Sequence, residues 1–161
     1  NTIPSPRARP GGRGFSASTH FALADDEALV VTLDRLGADS LGFQLADPWG
    51  VAYEYVDHTS SLNQNQAEPS ADGSYTYVVA AKDPGFANWL DPDGESAGIM
   101  VLRWQVLPEG ADPAKAIRRV EVVKLDALAK AMPADARRVT PEQRKAQQVE
   151  RARQYARRLG Q

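Results

Sequence analysis

The sequence predicts a mainly β protein: an antiparallel β-sandwich or jelly-roll-like sheet with a C-terminal α-helix. Three observations lead there. About six segments between residues 27 and 124 carry strand-like apolar patterns, clusters of Gly, Pro and Asp separate them without an intervening helical pattern, and a 3.6-residue period sets in only near the end. With 161 residues, 42% hydrophobic and 25% charged, the chain is long enough for one domain with its own core and too apolar for wholesale disorder.

Residues 1–19 are punctuated by Pro4, Pro6, Pro10, Gly11, Gly12 and Gly14 and are expected to form an extended arm or linker. The antiparallel β domain is expected over residues 20–125. Its first strand, EALVVTL (27–33), is apolar on both sides and suits a central position buried on both faces. After the GADS turn, LGFQLAD (41–47) sets Leu41, Phe43 and Leu45 against Gly42 and Gln44, the pattern of a half-exposed strand. VAYEYVD (51–57) and SYTYVVAA (74–81) read as two further strands rich in tyrosine. GIMVLRWQV (98–106) puts Met100, Leu102, Trp104 and Val106 on one side, and RRVEVVKL (118–125) is expected as the last strand.

Residues 126–161 are expected to be a helical segment docked on the β domain or on a partner. A short helix is expected in LDALAKAM. Thr140 then has the properties of an N-cap, with Pro141 at the first helical position and Gln143 at capping-box spacing. Ala146, Val149, Ala152, Ala156 and Leu159 form a narrow apolar stripe, which is expected to be the docking face while the arginines around it stay wet.

Charge is segregated along the chain. Residues 20–100 hold 14 acids against Arg35 and Lys82, whereas residues 101–161 hold 14 basic residues against seven acids. The C-terminal part is therefore expected to dock back on the acidic middle. Nucleic acid is not expected as a partner, because the net charge is −2 and no recognition motif accompanies the arginines. There is no cysteine, which removes disulfides and thiolate chemistry and leaves the redox compartment undecided. Apolar runs fall far short of the ~20 residues of a spanning helix, so no membrane span is expected and a cytoplasmic location is favoured. The chain starts at Asn1 with no signal-peptide pattern, which favours a fragment of a longer protein.

The stretches SSLNQNQ, ADGSYTYVVAAKDPGFANWLD and GIMVLRWQ also carry a resemblance. In Ser61 and Leu62, the Asp72-Gly73 turn, Asn88 to Leu90, and Arg103 with Trp104, the central half of the chain resembles the bacterial family called domain of unknown function 1214. That resemblance implies a β-rich domain, C-terminal partner of a second uncharacterised domain. The basic helix from Pro141 to Leu159 departs from the family, whose members often stop sooner.

Two functions follow as expectations. The first is a noncatalytic β module that packs on and completes an upstream domain or a partner subunit. The alternative is an enzyme, or the substrate-binding half of one, acting on a small organic molecule with an apolar body and a polar or anionic end. The candidate ligand-binding residues are Asn63, Gln66, Asn88, Trp89 and Arg103.

Asn88 and Trp89 lie between two turns, Asp83-Pro84-Gly85 and Asp91-Pro92-Asp93-Gly94. Trp89 is expected either to plug the core end while Asn88 satisfies loop backbone, or to form with it the rim of a site. Arg103 shares a strand face with Ile99 and Val101; it is expected to pair with an acid of the 83–95 loop or, alternatively, to anchor an anionic ligand. The six residues Trp49, Tyr53, Tyr55, Tyr75, Tyr77 and Trp104 are expected mainly in the core or, alternatively, lining an apolar pocket.

No cofactor and no metal is expected. DPDGE lacks the further ligands of a calcium loop, and Asp57-His58 with Ser60 and Ser61 are too close in sequence for a catalytic triad. His20 and His58 are the only histidines, which leaves open just a mixed histidine and carboxylate site.

Overall fold

A computed structural model describes residues 1–9, 12 and 14–160. Pro10 and Gly11 of the expected arm lie outside the described residues. The chain is mainly β, as expected, with two sheets and a C-terminal helix. One sheet joins β1 (Arg7–Ala8), β2 (Gly14–Ala22), β8 (Ala97–Gln105), β4 (Ser40–Ala46) and β5 (Ser61–Asn63), in that spatial order. The other runs β7 (Trp89–Leu90), β6 (Tyr75–Val79), β3 (Glu27–Leu33) and β9 (Ile117–Lys124). All pairs are antiparallel except β6 with β7, which is parallel.

The facing sides of the two sheets share one core. Leu41, Phe43 and Leu45 of β4 and Met100, Leu102 and Trp104 of β8 meet Leu29, Val31, Leu33, Tyr77 and Val79 of the second sheet. Phe43 meets Tyr77 edge-on with ring centroids 5.3 Å apart, across the two layers. Trp104 satisfies its lone donor on the Asp34 carbonyl at 2.7 Å. The second sheet is covered on its other side too: Ala28, Val30, Val78 and Ala80 pack under Phe86, Trp89, Leu128 and Met132. That second layer explains why EALVVTL is apolar on both sides and why every residue of β6 is buried.

Gly98 marks the tightest approach. A Cβ there would lie 2.3 Å from the Tyr53 hydroxyl and 2.5 Å from the Ala46 carbonyl, so only glycine lets these strands and the Tyr53 ring meet.

Several expectations need correction. Strand β2 begins at Gly14 and pairs with β8 from Gly14 to Ala22, so the arm expected over 1–19 ends earlier and the β domain starts before residue 20. VAYEYVD is not a strand: past the single bridge Ala46↔Ala52 it is a loop, shaped by Glu54, whose carboxylate accepts the backbone N–H groups of Val56, Asp57 and His58. Strand β8 stops at Gln105, and Val106, at φ 54°, turns out of the core and is exposed. Trp49 (89% exposed) and Tyr55 lie at the surface.

Helix α1 (Leu128–Ala131) and helix α2 (Pro141–Arg158) form where LDALAKAM and Thr140 predict them. The capping box is complete: Thr140 accepts from the Gln143 backbone, and the Gln143 side chain accepts from the Thr140 backbone. Among the described residues no helix is long and apolar enough to cross a membrane.

Candidate functional site

Helix α2 docks on the β domain with a face opposite in character to the expected one. Val149 and Leu159 of the apolar stripe are 62% and 58% exposed. Ala152 and Ala156 are half-buried, but the side chains that hydrogen-bond to the domain are Arg144, Arg151 and Tyr155, which a helix of 3.6 residues per turn brings to one side.

Arg144 is 5% exposed. Its Nε donates to Asp83 at 2.9 Å, its remaining nitrogens donate to the Phe86 and Ala87 carbonyls and to Gln147, and its guanidinium lies 5.1 Å from the Trp89 ring centre. Arg151 donates from Nε to the Tyr55 carbonyl, and from its two terminal nitrogens to the carbonyl and hydroxyl of Ser61. Tyr155 meets Tyr55 edge-on at 5.0 Å, with the two hydroxyls 2.7 Å apart.

The segregated charges also find one another elsewhere: Arg118 pairs with Asp34 and Asp72, Lys124 with Asp26 and Glu27, and Arg137 with Glu68. Ser74 and Arg118 hold the Asp72 carboxyl down to about 2.

The 83–95 loop resolves into a clasp. Asn88 accepts from the Glu68 backbone and donates to the Glu68 and Thr76 carbonyls, while Trp89 donates to the Ala80 carbonyl at 2.8 Å. Both side chains are consumed by packing and backbone satisfaction, so the structural reading of this pair accounts for every polar contact they make. Asp91 holds His58 Nδ1 at 2.8 Å, and Asp93 lies 3.4 Å from Nε2. Burial by itself would lower the His58 pKa, but the Asp91 hydrogen bond and the charges of Asp91, Asp93 and Glu54 raise it. With carboxylates at both ring nitrogens, and Ser61 Oγ accepting from Arg151, His58 is not arranged to activate a serine. Among the described residues no group of three His, Cys, Asp or Glu is placed to hold a metal.

Under α2, against the β8–β4–β5 part of the first sheet, lies a groove of about 460 Å³. It gathers three of the five candidates, Asn63, Gln66 and Arg103. Asn88 and Trp89 are elsewhere. Arg103 sits on β8 opposite Ser16 and Gly42 and forms no ion pair among the described residues, so the expected pairing with an acid of the 83–95 loop is not made; of those acids Asp83 pairs with Arg144, and Asp91 and Asp93 lie against His58. The other wall holds Tyr55, one of the aromatics expected in the core or at a pocket, and three residues that sequence reasoning missed, Arg151, Tyr155 and Arg158. The spacing of 151, 155 and 158 on one helical face was the available signal. No carboxylate lines the groove among the described residues.

A crystal structure of an uncharacterised protein from Burkholderia cenocepacia matches with a TM-score of 0.65 and 34% identity, over 78% of this chain and 35% of the Burkholderia chain. A structure from Vibrio parahaemolyticus matches with a TM-score of 0.46 and 11% identity, over 68% of this chain and 30% of that one. The matched part of this chain therefore spans well under half the length of the Burkholderia protein. No family model matches the chain. No curated protein matches it.

Proposed function

We propose that this chain is a noncatalytic β-rich module of a larger bacterial protein, packed on an upstream domain that it completes. The observation that carries the reading is the match to a Burkholderia chain of which this one covers only 35%, at 34% identity. The resemblance to the domain of unknown function 1214 family supports the same arrangement, as a C-terminal partner of a second domain. Exposed apolar side chains give such a partner something to cover: Trp49 and Val51 stand 89% and 63% exposed in one loop.

Charge and shape support a supporting role over a reaction. His58 and two acids around it, Glu54 and Asp91, are engaged in fixing loops. The alternative, a substrate-binding half of an enzyme, draws support from one observation, the meeting of Asn63, Gln66 and Arg103 on a single groove.

Expressing this chain and the rest of its reading frame as two separate polypeptides tests the module reading. The two are expected to co-purify as a complex with a single melting transition. Independent elution with unchanged melting of each piece would overturn it.

A further inference from the structure

A guanidinium offers five N–H donors. Arg151 donates from each of its three nitrogens to a neutral acceptor, the Tyr55 and Ser61 carbonyls and the Ser61 hydroxyl, so two N–H groups are left over and none of its hydrogen bonds goes to an anion. Burial pulls its pKa below the ordinary arginine value, and Glu54, the acid whose charge reaches it, has both carboxylate oxygens engaged by backbone N–H groups. A half-buried cation with no carboxylate hydrogen-bonded to it is costly, and an anion arriving beside it relieves that cost.

Two more cations share the groove. Arg103 and Arg158 are exposed and have no carboxylate partner among the described residues. The amides point the same way. Asn63 Oδ1 accepts the Asn65 and Gln66 backbone N–H groups, and Gln66 Oε1 accepts that of Asn63, which leaves the NH₂ ends of both as donors. Gln154 is reversed: its NH₂ donates to Glu150, so its carbonyl oxygen is left as an acceptor. The apolar surface is supplied by the Tyr55–Tyr155 pair and Val101.

We infer that this groove binds a small organic anion, with a carboxylate or phosphate head held by Arg103, Arg151 and Arg158 and a flat apolar body resting on Tyr55 and Tyr155. Its volume lies within the range typical of small-molecule sites, about 300–1,000 Å³. Asn63 and Gln66 add neutral donors to the head group, and Gln154 fits a hydroxyl on the body. This site stands apart from the packing role. A full-length protein that binds the anion but shows no interdomain contact would keep this inference and remove the module reading, and the converse result would do the reverse.

Isothermal titration calorimetry on the full-length protein, with benzoate, phenyl phosphate, benzamide and inorganic phosphate as probes, is the test. Benzoate or phenyl phosphate is expected to bind one site per chain, and the tighter of the two names the head group. Benzamide, which lacks the charge, and inorganic phosphate, which lacks the body, are each expected to bind about tenfold more weakly or worse. R103Q and R158Q should each weaken the aromatic anion by about tenfold. Because both arginines are exposed and unpaired, the melting temperature should not move. Absence of binding by both aromatic anions, equal binding of benzamide, or wild-type affinity in both variants would overturn the inference.

Discussion

Replacing Arg144 by methionine keeps an unbranched apolar stem against Trp89 and removes every donor. The Phe86 and Ala87 carbonyls and the Gln147 side chain lose their partner, and Asp83 loses its counter-ion. Asp83 is 32% exposed at its side chain, so water takes over there at small cost. The two carbonyls are the expensive part. Each buried acceptor left unmade costs about 1–3 kcal/mol, so the variant should lose about 2–6 kcal/mol. Where the docking free energy of α2 is smaller than that, the helix detaches instead, and its open population rises on the order of a hundredfold. V149D changes a residue that is 62% exposed and should cost no more than about 0.5 kcal/mol. Urea denaturation and limited proteolysis after Thr140 read both variants. The reasoning fails if V149D proves the more disruptive, or if R144M loses less than about 1 kcal/mol without new cleavage.

Three further outcomes follow from the same contacts. His58 has a folded pKa above its ordinary 6.5, so the stability it contributes should be fully present below that value and fade as pH rises through the folded pKa; urea midpoints across the histidine range should show this, and H58N should flatten the trend. G98A should cost about 3 kcal/mol, because the new Cβ meets the Ala46 carbonyl, the Tyr53 hydroxyl and the Phe21 ring; a thermal melt within error of wild type would contradict it. T140A removes the capping box and should cost about 1 kcal/mol, seen as faster amide exchange confined to the first turn of α2.

The strands that were legible are those whose two faces differ or are both dry. Leu41, Phe43 and Leu45 announce β4, and the double-sided apolar run announces β3, because burial and side-chain alternation act on each residue directly. Short strands carry no such period. Ser61–Asn63 and Trp89–Leu90 are too brief to show one, and Gly14–Ala22 hides its single fully buried pair, Ala17 and Phe21, behind Ser, Thr and His.

The helix was legible in extent and misread in orientation. An amphipathic pattern assumes that the apolar stripe is the buried one. Here the domain surface beneath α2 presents carbonyls, the Ser61 hydroxyl and a tyrosine, which long arginine side chains satisfy and alanine, with no side-chain donor, cannot. The site followed suit. Asn63, Gln66 and Arg103 were legible as polar residues near the strands, but the wall opposite them belongs to α2, and nothing local in the sequence says which helix face it shows.

The module reading predicts that Trp49 is covered in the full-length protein. Trp89 and Trp104 are 6% and 0% exposed, so within this chain Trp49, at 89%, dominates quenching by acrylamide. The direct measurement is the difference in acrylamide quenching between wild type and W49F, taken once on this chain alone and once on the full-length protein. A large difference in the isolated chain that nearly vanishes in the full-length protein is the predicted result. An equally large difference in both would show Trp49 still in water and contradict packing through this loop.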